Sequence, residues 1–224
     1  MYIAGLDLPF TTPQALNGLA WASLAGSFYL SWPGSDVKKK AEEKAGNAIH
    51  MPAGQKGLHI TIAHSLALFG PAVLFLSTLP LNKFNEPDWL GEYALPKVSP
   101  PVYYAVRIGS STLVWVSGAI MTKCFKHLGA QWNYIGVRER PALVRTGSYK
   151  VVRHPMYSCA MLVMAGTAGA FWSWIPFGAL SVLSVLFAIK IPMEENVILN
   201  HDHLGPKYAV YKREVPDRII PYIW

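Results

Sequence analysis

Residues 155–191 read PMYSCAMLVMAGTAGAFWSWIPFGALSVLSVLFAIKI, with Lys190 as the single charged side chain in the run. A helix needs about 20 mostly apolar residues to cross the hydrocarbon core of a bilayer. This stretch supplies two such segments, Pro155–Trp172 and Trp174–Ile191, parted by a residue or two. So short a link forces an antiparallel helical hairpin. Trp172 and Trp174 at its turn carry rings that favour the membrane–water boundary.

Working outward, three more stretches have this character. They run from about Pro13 to Trp32, Leu58 to Leu81 and Val102 to Met121, so the fold class is all-α: a polytopic membrane protein with about five spans. The first is rich in small residues (Ala15, Gly18, Ala20, Ala22, Gly26) that let helices approach closely. Composition agrees: 52% of residues are hydrophobic and only 15% charged, against about a quarter charged in a soluble globule. The net charge of +7 reads as basic flanks of membrane helices rather than a nucleic-acid face, because the cations sit beside apolar runs.

Charge in the connections sets the orientation. Residues 33–57 hold five Lys against three acids, residues 82–101 two Lys against three acids, and residues 123–153 seven Lys or Arg against Glu139. Positive loops stay inside, so 33–57, 123–153 and the C-terminal tail face the cytosol. The linker 82–101, with Pro87, Pro96, Pro100 and Pro101, is expected to be irregular and on the far side. Gln55 and Lys38-Lys39-Lys40 read as solvated loop. Residues 127–136 read as a short surface helix whose aromatic residues touch the membrane. Met1–Thr11 carry Asp7 and no Lys or Arg, so no cleavable signal peptide is expected. Cys124 and Cys159 read as reduced thiols. The chain divides into residues 1–122, three spans with their loops, and 123–224, which carries the chemistry.

That chemistry starts where polar groups press against an apolar helix. Arg153-His154-Pro155-Met156-Tyr157 opens the fourth span, with Pro155 in the first turn, where its missing N–H costs nothing. The helix N-terminus there offers free amides to an anion. Lys190, Glu194 and Glu195 stand where the fifth span leaves the membrane. A hairpin returns to the side it left, so Arg153, His154, Tyr157, Lys190 and Glu194 are expected at one level.

Arg-His-Pro-x-Tyr, a hairpin, Lys-Ile-x-x-Glu-Glu, and then Gly205-x-x-Tyr208-x-x-Tyr211 running to Val215-Pro216 resemble the isoprenylcysteine carboxyl methyltransferases and their phospholipid-methylating relatives. The resemblance covers about Gly129 to Trp224. It implies S-adenosylmethionine as cofactor, in a cytosol-facing pocket built from the hairpin, the segment before it and the tail. It further implies cofactor contacts from Pro141, Ala142, Leu143, Val144 and Tyr149, from His154, Pro155, Met156 and Tyr157, and from Glu194. Lys190 occupies the position that faces the acceptor carboxylate, and Arg153 either helps there or holds the loop. Relatives often have Arg at Lys190, a forked donor that Lys lacks, and a small residue, usually Gly, at Cys159. The stretch from Asn196 to Leu204 is a little longer than usual. His201-Asp202-His203 within it reads as solvated tail, not as a metal site.

The implied activity is carboxyl O-methylation of a prenylated C-terminal cysteine, in the endoplasmic reticulum membrane, with lipid as the surrounding partner and no nucleic acid. The alternative is N-methylation of a phospholipid or other lipid amine, which needs a base such as Glu195 or His154. A non-catalytic membrane scaffold is a third reading. The end of the tail is also similar to that of sterol reductases, which are longer chains without this Glu-Glu pair. His59 and His64, five residues apart, do not share a helical face well and read as packing residues. Arg107, near the start of the third span, reads as an anchor that snorkels to the interface.

Overall fold

Thr11 and Gln14 start the first helix by bonding reciprocally: the Thr11 side chain accepts from Gln14 N–H at 3.4 Å, and Gln14 Oε1 accepts from Thr11 N–H at 2.8 Å. This box satisfies two amide donors that a helix start leaves open. In the computed structural model, which describes residues 2–3, 6–7, 9–32, 36–49, 56–133 and 135–224, eight α-helices follow in chain order. They are α1 (Thr12–Ser31), α2 (Asp36–Ala45), α3 (Lys56–Leu81), α4 (Asp88–Gly91), α5 (Pro100–Leu128), α6 (Pro155–Phe171), α7 (Ile175–Leu199) and α8 (Gly205–Glu214). Two antiparallel pairs of two-residue strands complete the described structure: β1 (Tyr2–Ile3) with β2 (Leu6–Asp7), and β3 (Ala48–Ile49) with β4 (Val137–Arg138).

All five expected spans are helices. Two of them, over Gly57–Leu81 and Ile175–Leu199, are long and apolar enough to cross a membrane, and α6 is a shorter apolar helix. Leu66, Val73, Val182 and Val185 on these two helices are each more than half exposed, as side chains facing lipid rather than water would be. The Lys38–Lys40 run, expected as loop, is part of α2, with Lys39 and Lys40 exposed. Gln55 lies outside the described residues. Pro100 and Pro101, expected within the irregular linker, form the first turn of α5, where proline is tolerated. At its other end α5 continues to Leu128, so residues 127–136 are not a separate helix: after Gly129 (φ 54°) the chain makes one 3-10 turn, Gly129–Gln131. The division drawn at residue 122 falls inside α5, and α5 packs most extensively on α6 and α1.

Small residues permit those close approaches, though not all the ones expected. A Cβ on Gly166 would lie 2.8 Å from Val114 Cγ2, one on Gly118 2.7 Å from Ser27 Cα, and one on Gly26 would enter the Trp115 ring. Gly18 has open space around it and Ala22 is exposed. The core between α1, α3, α6 and α7 is aromatic and aliphatic, with Phe75 and Phe171 stacked at 4.2 Å and Leu24, Met164, Leu183 and Phe187 fully buried.

Arg107 does not snorkel. It is 2% exposed and clasps three helices: Nε donates to Ala170 O at 2.8 Å, Nη1 to Tyr103 Oη at 2.7 Å and Nη2 to Asn17 Oδ1 at 2.7 Å. A cation inside a bundle persists when its donors are all matched, and the helix-borne acceptors do that here without a trip to the interface. The hairpin turn is fixed from the same end. Trp172 adopts a left-handed φ of 54°, held by Leu95 N–H donating to its carbonyl and by its own Nε1–H donating to Leu95 O, both at 3.0 Å. At the opposite end the three basic segments gather: β3 pairs with β4, Arg140 donates to Glu43 O at 2.8 Å, and Arg153 meets the tail.

Candidate functional site

The two feet of the hairpin meet. α6 begins at Pro155, putting His154 and Tyr157 at its first turn, while α7 runs through Pro192 and carries Lys190 and Glu194 one turn apart. Tyr157 Oη donates to Glu194 Oε1 at 2.5 Å. Lys190 Nζ lies 3.8 Å from the same Glu194 oxygen and 5.1 Å from the centre of the Tyr157 ring. His154 Nδ1 is 3.6 Å from Glu194 Oε2, and its ring lies parallel to that of Tyr157. Phe187 stacks at 4.4 Å on Tyr157, a ring pair that fixes the phenol. The helix N-terminus leaves less for an anion than expected, since Tyr157 N–H and Ser158 N–H both donate to His154 O.

Glu195, next along α7, faces the other way and makes a lock. Arg153 Nε donates to its Oε1 at 2.7 Å, with both side chains 2% exposed. Lys212 Nζ and Arg218 Nη2 approach its second oxygen at 3.1 and 3.7 Å. Arg153 Nη1 donates to the carbonyls of Val215 and Pro216 at 2.6 and 2.5 Å, and the backbone N–H groups of Arg153 and His154 donate to Asp217 O and Arg218 O. Of the two roles open to Arg153, these contacts favour holding the loop: its donors bind Glu195 and the tail.

A cavity of about 750 Å3 opens beside this cluster. Its wall includes Pro141, Ala142, Leu143, Val144, Tyr149, Arg153, His154, Met156, Tyr157, Lys190 and Glu194. Pro155 alone among the expected residues is not on the wall; it is buried in the first turn of α6. The tail supports the wall, because Tyr211 Oη donates to Tyr149 O at 2.7 Å. Burial pushes the phenols of Tyr149 and Tyr208 up and that of Tyr211 up to about 12, so all three remain protonated donors near neutrality. Cys159, at the position where a smaller residue was expected, is buried against Cys124 and Tyr149.

Sequence reasoning missed other parts of the wall. Trp132, taken for a membrane contact, lines the cavity with Gln131 and Ile135; Tyr134 lies outside the described residues. Arg138 on β4 is buried, its guanidinium bonded to Gly46 O at 3.0 Å and to Trp132 O. His64 of α3 also lies on the wall, 3.4 Å from Lys190 Nζ through Nδ1, whereas His59 is exposed. The reading of both histidines as packing residues missed this, because nothing in α3 itself points to Lys190. His201 Nδ1 accepts the backbone N–H groups of His203 and Leu204, both at 3.3 Å. Among the described residues no three His, Cys, Asp or Glu side chains are grouped to hold a metal ion.

Residues 106–201 match the phospholipid methyltransferase family, which includes the isoprenylcysteine carboxyl methyltransferases. The chain is 33% identical over 150 residues to the nickel-cobalt-cadmium resistance protein NccN of Alcaligenes xylosoxydans xylosoxydans, covering 61% of this chain and 67% of that protein. It is 30% identical over 113 residues to the cobalt-zinc-cadmium resistance protein CzcN of Cupriavidus metallidurans, covering 46% of this chain and 50% of that protein.

Proposed function

We propose, because the chain belongs to the phospholipid methyltransferase family, that it transfers a methyl group from S-adenosylmethionine to a lipid-borne acceptor, and that this acceptor is the carboxylate of a prenylated C-terminal cysteine. The observation that carries the reading is Lys190 beside the Tyr157–Glu194 pair on the wall of one cavity. The residues present fit the cofactor. The cavity volume of about 750 Å3 lies in the range of about 300–1,000 Å3 that takes a small molecule. Glu194 offers its carboxylate to hydroxyl and ammonium groups, Tyr149 and Met156 offer apolar contact, and the segment 141–144 offers backbone. The bound cofactor supplies an electrophilic methyl on a positively charged sulfur.

What this chain does is hold and align. A C-terminal carboxylate has a pKa of about 3.3–3.7 and is ionised at neutral pH, so no base is needed. Lys190 attracts it, and the helix walls exclude water. Alignment of two reactants contributes up to ~7–11 kcal/mol. The prenyl chain explains the apolar setting, since each buried CH2 contributes ~0.8 kcal/mol. An amine acceptor would need a base, and Glu195, one of the two groups expected to serve, is occupied by Arg153, Lys212 and Arg218. That occupancy removes one of the two expected bases and leaves His154, on the cavity wall, as the group an amine acceptor would use.

The five helices would cross the bilayer with the basic end, and the cavity, toward the cytosol. The endoplasmic reticulum draws no support from the two similar proteins, both bacterial; the proposal is for a membrane of the cell, with the resistance in their names left to those proteins. The test is transfer of labelled methyl by purified protein in nanodiscs, with N-acetyl-S-farnesylcysteine and phosphatidylethanolamine offered side by side. Label in a base-labile methyl ester is the expected result. Label in the phospholipid amine would overturn the carboxylate acceptor.

A further inference from the structure

Cys124 and Cys159, the two cysteines of the chain, take no part in the proposed reaction, yet they meet behind the cavity wall. Cys124 on α5 and Cys159 on α6 are both buried and pack together with Tyr149. Relatives usually carry glycine at the position of Cys159, so the pair is a feature of this chain. The side chains of Cys159 and Ser148 both hydrogen-bond to the Cys124 sulfur. Cys124 lies past the third span, in the basic segment 123–153. The hydrogen bond from Cys159, aided by the one from Ser148, brings its thiol down to about 7 against the opposing effect of burial. A thiolate, not a thiol, is the nucleophile. Near neutrality Cys124 is therefore the reactive member, with Cys159 held beside it. Burial restricts the oxidant to a small neutral molecule. Val144, Met156 and Tyr149 belong both to the surroundings of the pair and to the cavity wall, so the cavity reaches to within one side chain of the sulfurs.

Ser148 ties the pair to the cavity. It belongs to the 3-10 turn Gly147–Lys150, whose Tyr149 lines the wall. We propose that Cys124 and Cys159 are a redox-active pair that hydrogen peroxide closes into a disulfide, and that closure loosens this turn and weakens cofactor binding. The Cys124 thiolate attacks one peroxide oxygen, the O–O bond breaks, and a sulfenic acid forms as hydroxide leaves and takes up a proton. The Cys159 sulfur then displaces the sulfenic oxygen, the S–S bond forms, and a second water departs with the Cys159 proton. Two thiols are oxidised and one peroxide is reduced to two waters. The Cys124 sulfur gives up its charge and turns toward Cys159, so Ser148 loses its acceptor and the turn that carries Tyr149 loses a tie to α5. Disulfides in reducing compartments are mostly transient and redox-sensing, which suits a bond made only under peroxide. The effect on the cofactor rests on the methyltransferase reading given above; formation of the bond does not.

The test has two readouts on the full chain in nanodiscs, before and after hydrogen peroxide. Free thiols are alkylated in denaturant and counted by mass spectrometry, and S-adenosylhomocysteine binding is measured by calorimetry. Both cysteines should be alkylated in the reduced protein and neither in the oxidised one. Affinity for S-adenosylhomocysteine should fall about 5- to 150-fold on oxidation, the usual range for coupling between two sites. Dithiothreitol should restore both readouts, which separates the disulfide from oxidation of Met156, since a methionine sulfoxide needs its own reductase. Cys124→Ser keeps the size of the side chain and lacks the attacking thiolate, so its affinity should stay within about twofold under peroxide. Two cysteines still open to alkylation after peroxide overturn the proposal. So does a disulfide that forms with cofactor affinity unchanged, or a reversible loss of affinity that persists in Cys124→Ser. A reduced wild type that binds no S-adenosylhomocysteine overturns the cofactor reading instead, and the thiol count then decides the disulfide by itself.

Discussion

Tyr157 and Glu194, 37 positions apart, share a 2.5 Å hydrogen bond that joins the start of α6 to the last turns of α7. The bond exists because the hairpin is tight and its two arms are of unequal length: α7 extends beyond the apolar run and brings its carboxylate back to the level of Tyr157. Glu194 also faces Lys190 and His154, so its charge is the centre of the cavity's polar end. Glu194→Gln keeps the shape and removes that charge. S-adenosylhomocysteine affinity should fall about 10- to 100-fold in calorimetry, as for a lost hydrogen bond to a charged group. Tyr157→Phe should cost less, because the carboxylate keeps Lys190. Unchanged affinity in Glu194→Gln would remove Glu194 from the cofactor site.

The Arg153–Glu195 pair predicts a stability effect instead. Both side chains are 2% exposed, and removing one partner of a buried pair costs about 3–5 kcal/mol because the other charge is left stranded. Arg153→Ala and Glu195→Ala should therefore lower the unfolding temperature in detergent and expose the segment after Glu214 to protease. Replacing both residues with Met should be milder than either single change. If Arg153→Ala unfolds like the wild type while acceptor affinity collapses, Arg153 belongs with the acceptor after all.

Those two carboxylates show what was readable in the chain and what was not. The hairpin could be read directly, since an apolar segment of about 20 residues satisfies its own backbone inside lipid as a helix and the link between Phe171 and Ile175 is too short for anything but an antiparallel return. The meeting of Tyr157 with Glu194 followed from that geometry. Adjacent Glu194 and Glu195 looked alike in sequence, yet a helix turns about 100° per residue, which sends one into the cavity and the other into the lock. His64 and Arg107 failed for a different reason. Each depends on a partner in another helix, Lys190 for one and Asn17 and Ala170 for the other, and such pairings belong to the packing of the bundle, not to any local pattern.

The α5–α6 contact offers a test of that packing without touching the cavity. Gly169 lies so close to Ser110 that any side chain would collide with its hydroxyl, and Gly166 is similarly placed against Val114. Gly169→Leu should destabilise the protein by about 1–3 kcal/mol, the usual cost of overfilling a packed interior, read as a lower unfolding temperature. Gly178→Leu on α7, where nothing lies within 4 Å of the added carbon, is the control and should be neutral. Equal effects at the two sites would mean that α5 and α6 do not pack in this register.

The pH dependence of turnover discriminates the acceptors by sign. A carboxylate with a pKa of about 3.3–3.7 is fully ionised from about pH 6 to 8, so its own titration adds nothing to kcat/KM over that window. An ammonium acceptor with a lysine-like pKa of about 10.4 must first lose its proton, which raises the rate about tenfold for each pH unit. Lys190 cannot mimic that rise. Loss of its proton removes the cation that holds the carboxylate, so its titration can only lower the rate as pH increases. The structure therefore predicts a flat or falling profile with N-acetyl-S-farnesylcysteine, whereas a steep rise with phosphatidylethanolamine would assign the proton to His154 on the cavity wall, because Glu195 is bound by Arg153 and Lys212.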